Sequence, residues 1–126
     1  MTASLWIPGP LPGLNDLIKA AKGAGGTGRG YSRLKRQWTQ TVWALAKRQR
    51  LPMLIGARLV FEWREKGRRR DPDNIAAGGR KLILDGLVLA KVLPGDGWAH
   101  VLGWTDRFCV VGSGMLPGVM VTLEAA

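Results

Sequence analysis

The chain has one cysteine, Cys109, and one histidine, His100, in 126 residues. A lone cysteine forms no disulfide within the chain, which suits a reducing compartment. Cys109 lies among Phe108, Val110 and Val111, so a buried, inert thiol is expected. One Cys and one His cannot make a Cys/His zinc set, and no Ser-His-Asp arrangement presents itself. No apolar run approaches the ~20 residues needed to span a bilayer. Met1 to Pro12 has neither the basic stretch nor the long apolar core of a signal peptide. The expectation is a soluble, cytoplasmic protein with no membrane partner.

Acidic residues are scarce too, with 9 Asp/Glu against 19 Lys/Arg and a net charge of +10. The scarcity is uneven. Residues 1–70 carry 15 bases and 3 acids, whereas residues 71–126 carry 4 bases and 6 acids. From Lys19 to Arg50 there are nine basic residues and no acid. Such a surface suits a polyanion, with Arg29, Arg33 and Arg36 as candidate phosphate contacts. The length and ordinary apolar fraction fit one globular domain over residues 1–126.

Leu5-Trp6-Ile7, stopped by Pro8-Gly9-Pro10, reads as a first strand. Leu11 to Asp16 reads as a loop and Leu17 to Lys22 as one or two helical turns. Gly23 to Gly30 reads as a flexible segment, either a mobile basic loop that orders on DNA or a plain linker. Its formal GxGxxG has no preceding strand and no acid about 20 positions on, so no nucleotide cofactor is expected. Tyr31 to Arg50 has helical periodicity, with Leu34, Trp38, Val42 and Leu45 on one face. Gly56 to Glu65 alternates as a strand. Asn74 to Ala90 reads as a helix whose Gly78-Gly79 pair weakens it by about 1 kcal/mol per glycine relative to alanine, which suggests close approach of a backbone or a ligand there. Trp98 to Trp104, Phe108 to Val111 and Val119 to Leu123 read as further strands, with Asp106 and Arg107 as a solvated pair between two of them. The order fits an α/β (α+β) fold: a single mixed sheet with two long helices packed on it.

The densest chemistry is Arg68-Arg69-Arg70-Asp71-Pro72-Asp73-Asn74. Carboxylates two residues apart repel unless a cation sits between them, and arginines suit phosphate. Asp71 and Asp73 are therefore candidate metal ligands. The plainer alternative makes Asp73 or Asn74 a helix cap and pairs Asp71 with Arg69 or Arg70. Asp96, in a Gly-Asp-Gly turn, is a third candidate ligand and Asp85 a fourth. Lys81 is a candidate for charge stabilisation, or simply an ion-pair partner for Asp85.

Arg-Arg-Asp-Pro-Asp-Asn, then Lys81-x-x-x-Asp85-Gly-Leu, then Val-Leu-Pro-Gly-Asp96-Gly-Trp, resembles the RusA family of Holliday-junction resolvases found in phages and prophages. The strand ending in Pro-Gly-Pro and Asn15 fit as well. The resemblance spans most of the chain and is strongest from Arg68 to Trp98. It implies a RusA-like homodimeric endodeoxyribonuclease that uses Mg²⁺, with Mn²⁺ as a substitute. The enzyme would bind four-way DNA junctions and nick two strands symmetrically. Catalytic aspartates would fall on Asp71, Asp73 and Asp96, the essential lysine on Lys81, a further ligand on Asp85, and DNA contacts on Arg68, Arg69 and Arg70. Two departures stand out. The best-known motif places lysine three residues after the asparagine, where this chain has Ala77, so keeping Lys81 inserts about one helical turn. Where the family often has two adjacent acids, this chain has Gly95-Asp96. These departures keep open a non-catalytic branched-DNA-binding protein of the same fold, and a nuclease preferring flaps or forks.

Overall fold

The structure is a computed structural model. It describes residues 1–26 and 28–126, with the side chains of residues 24–26 left aside. Seven elements follow in the order β1 (Thr2–Pro8), α1 (Leu14–Gly26), α2 (Arg29–Arg48), β2 (Ala57–Glu65), α3 (Pro72–Leu89), β3 (Val101–Val110) and β4 (Gly118–Ala125). They build one four-stranded mixed sheet in the order β1-β4-β2-β3, in which only β2 and β3 run parallel. The expected fold, one mixed sheet covered by helices, is what forms, with three helices rather than two.

Strand alternation decides which face is covered. Leu59, Phe61 and Trp63 of β2 are buried, as are Leu5 and Ile7 of β1 and Val119, Val121 and Leu123 of β4. They meet Val42 and Ala46 of α2 and Ile75, Ile83 and Leu87 of α3 in one core. The other face carries Arg58, Glu62 and Arg64, and there Arg64 lies over the Trp6 ring at 5.2 Å. The β1 edge is closed by Gln49, which exchanges hydrogen bonds with the Trp6 amide (2.9 Å) and carbonyl (2.8 Å). β3 is the other edge of the sheet.

Two stretches differ from the sequence expectation. Leu14–Gly26 is one 13-residue helix, where a loop, a short turn and the start of a flexible segment were expected. Its first turn is held by one local acceptor and one distant in sequence, and local propensity does not register the second. The Asp16 carboxylate accepts from the Gly13 amide at 2.8 Å, and Asn74 Oδ1 of α3 accepts from the Asn15 amide at 2.8 Å. The flexible-loop expectation for Gly23 to Gly30 also covers Thr27, which lies outside the described residues. The second difference is β3, a single ten-residue strand where two short ones were expected. β2 templates it in parallel register from Arg58 to Glu65, and Asp106 faces inward to a partner rather than out to solvent.

The paired glycines of α3 do mark close approaches. A Cβ on Gly78 would lie 2.5 Å from the Leu14 amide nitrogen, and one on Gly79 would lie 2.5 Å from the Trp63 ring. At Gly78 the obstacle is backbone, which cannot rotate away. Gly78→Ala is therefore expected to destabilise the fold by about 2–3 kcal/mol, read by urea denaturation. Gly97→Ala, with nothing within 4 Å of its Cβ, is the near-neutral control.

Candidate metal and nucleic-acid site

β2 and α3 meet at a sharp corner made by Lys66 to Asp71. Asp71 is the N-cap of α3 in extended backbone (φ −69°, ψ 148°), and Pro72 opens the first turn with its fixed φ. The Asp71 side chain makes no capping hydrogen bond. Asp73 follows in the first turn, where the helix dipole favours a negative charge. Both carboxylates are exposed. Arg68 and Arg69 beside them are exposed, and among the described residues neither their side chains nor those of Asp71 and Asp73 have an ion-pair or hydrogen-bond partner.

Arg70 behaves differently. Its guanidinium grips Glu65 in a two-pronged pair (3.0 and 2.9 Å) and donates to the Leu11 carbonyl at 2.8 Å. Those donors tie the end of β2 to the loop before α1. Arg70 is thus a brace for the corner, and Arg68 and Arg69 are the arginines left open to a phosphate. Asn74 is a second brace through its bond to Asn15. Gly13 is glycine because a Cβ there would come within 2.8 Å of the Asn74 side chain.

The other predicted residues gather elsewhere. Lys81 Nζ lies 3.4 Å from Asp85 and 4.0 Å from Asp96, and Lys35 of α2 lies 3.4 Å from the other Asp85 oxygen. That oxygen is buried and makes no hydrogen bond. His100 donates to or accepts from neither carboxylate pair. Its Nδ1 meets the Ile55 carbonyl at 2.7 Å, and its ring packs on Gly95, bracing the turn that carries Asp96. Asp73 and Lys81 are eight residues apart on one helix, roughly 12 Å along its axis at 1.5 Å per residue. The four carboxylates therefore fall into two groups, Asp71 with Asp73 and Asp85 with Asp96. Among the described residues no three His, Cys, Asp or Glu side chains converge on one metal position. The helical rise between Asn74 and Lys81 separates the groups.

On α2, Arg29, Arg33 and Arg36 border one shallow depression with Ser32, which leaves them on a common surface facing solvent. Cys109 is exposed, not buried as expected, because β3 is an edge strand. Shielding by its neighbours and the Glu62 carboxylate 3.8 Å away hold its thiol pKa above the ordinary value, against the pull of Arg64.

One polar assembly was not anticipated. Arg80 of α3 pairs closely with Asp106 of β3, and the other Asp106 oxygen accepts the Trp63 indole N–H at 2.9 Å. The Arg80 guanidinium lies 4.7 Å above the Trp104 ring. Asp106 is thus not a solvated partner of Arg107. The available signal was its place in the alternation Leu102, Trp104, Asp106, Phe108, Val110, which puts an acid on the face turned toward α3.

No family model matches the chain, and no curated protein matches it.

Proposed function

We propose that this chain is a Mg²⁺-dependent endonuclease acting on branched DNA, with Asp71 and Asp73 as its metal-holding carboxylates. One observation carries the reading. The chain has six aspartates and an excess of bases, and Asp16, Asp85, Asp96 and Asp106 all have partners. Asp71 and Asp73 alone are left exposed and unpaired among the described residues, beside two equally open arginines. Asp71 forgoes even its capping bond. Two carboxylates suit Mg²⁺, which takes the rest of its octahedron from water and phosphate oxygen. Bound there, such a cation supplies charge neutralisation at phosphate and a more acidic water.

The chain's own groups do the rest. Arg68 and Arg69 hold the phosphate beside the carboxylates, and Arg33 and Arg36 extend the basic surface along α2. Arg70 and Asn74 keep the corner in place. The resemblance to RusA resolvases supports a four-way junction as the substrate, and a homodimer supplies two sites for two symmetric nicks. Synthetic four-way junctions, flaps and forks of common sequence, incubated with increasing Mg²⁺ or Mn²⁺, test this. Paired symmetric nicks in the junction, absent in EDTA, are expected. Faster cutting of flaps or forks would shift the substrate assignment.

A second reading, a junction-binding protein without nuclease activity, is favoured by the separation of Asp71 and Asp73 from Asp96. Lys81 is moreover already neutralised by Asp85 and Asp96. Tight junction binding with no cleavage at any metal concentration would decide for it.

A further inference from the structure

Next to Asp71 is a cleft of about 340 Å³ between the C-terminal ends of β2 and β3 and the first turn of α3. Its apolar lining is Pro72 and Ile75 from the helix and Phe108 and Val110 from β3, beside the mutually paired Glu65 and Arg70. Its rim is Arg68 and Asp71. Phe108 is 42% exposed and Val110 48% exposed, on a strand that is an edge of the sheet. We propose that this cleft receives one unstacked nucleoside of the DNA strand whose phosphate lies at Arg68, with the base against the Phe108 ring. The proposal rests on the DNA-processing reading above and adds a subsite to it.

Size, polarity and charge agree on that occupant. The volume is at the low end of small-ligand pockets, which run from about 300 to 1,000 Å³, so it admits a nucleoside and excludes a duplex. An exposed aromatic face is the usual platform for a base freed from its stack. The Arg68 guanidinium at the mouth, without a partner among the described residues, complements the attached phosphate. A branch point supplies such a base at reduced cost, since its stacking there is already broken. The site would place a nucleotide beside the carboxylates and so fix which phosphate lies between Asp71 and Arg68.

The test uses four-way junctions carrying 2-aminopurine at one position at a time around the branch point, in EDTA so that no strand is cut. Wild-type protein is expected to raise the emission several-fold at one position. Phe108→Ala should lose that rise and weaken junction binding by on the order of tenfold, the effect of one lost base stack. Phe108→Tyr should keep both, with circular dichroism checking that each variant folds. Junction binding without an emission change at any position overturns the subsite, as does a Phe108→Ala variant that retains rise and affinity. A Phe108→Ala variant that turns a dimer into a monomer in sedimentation also overturns it, since a second copy would then cover the wall. Mg²⁺-dependent nicking without the emission rise removes the subsite alone. Absence of saturable junction binding removes the DNA reading and the subsite together.

Discussion

Asp73→Asn is expected to lower Mg²⁺-dependent nicking of a four-way junction by on the order of 10³-fold, the rate equivalent of the several kcal/mol that a Lewis-acidic cation supplies, while junction affinity should stay the same or tighten. The substitution is nearly isosteric at an exposed side chain with no partner among the described residues. Its only structural cost is the loss of a favourable charge at the helix N-terminus, about 0.3–1 kcal/mol, so the fold should stand. Affinity is held because removing a negative charge beside Arg68 and Arg69 can only favour a phosphate. Asp71→Asn should behave alike. Asp96→Asn provides the contrast, because it withdraws a partner from Lys81 at 4.0 Å and touches neither carboxylate of the corner. Single-turnover cleavage and a dissociation constant at one fixed salt concentration measure both halves of the expectation. Wild-type nicking in Asp71→Asn and Asp73→Asn together would sink the metal assignment.

The largest effect on stability is expected at Asp106. Asp106→Ala leaves the Trp63 indole N–H without its acceptor and strands Arg80, whose Nε is already buried without a partner. Arg80 and Asp106 side chains are only 18% and 20% exposed, so solvent recovers little of the loss. Breaking such a pair from one side costs about 3 kcal/mol, or roughly 10 °C in Tm for a domain of this size. The double replacement Arg80→Met with Asp106→Leu separates charge from packing. It removes both ions and keeps the volume, so it should be far milder than the single variant. A double variant as unstable as Asp106→Ala would mean that the contacts of Arg80 with the Trp104 and Phe61 rings, not the pairing, hold β3 to α3.

Much of this architecture is written in local pattern. The alternation around Leu59, Phe61 and Trp63 identifies β2 and its buried face, and the 3.6-residue period of Leu34, Trp38, Val42 and Leu45 identifies α2, because side-chain direction follows backbone period alone. The Gly78-Gly79 pair announces close packing because glycine inside a helix is a cost that something must offset. What stayed hidden depends on partners distant in sequence. α1 begins where it does because Asn74, 59 residues away, accepts from Asn15. β3 runs unbroken through Asp106 because Arg80, 26 residues back, neutralises it. Cys109, placed among apolar neighbours, is exposed because its strand turned out to be an edge.

The candidate site divides the same way. The sequence by itself singled out the candidate residues: an acid pair at a helix start behind three arginines, in a strongly basic chain. Only the tertiary structure decided which of them are paired and which stay open. It turns Arg70 inward onto Glu65 and Leu11, leaves Arg68 and Arg69 open, and binds Lys81 between Asp85 and Asp96 away from the corner. The physical reason is that charge and residue type belong to the chain locally, whereas which charges neutralise one another is set by distance. Distances between elements exist only once the core of β2, α2 and α3 has closed.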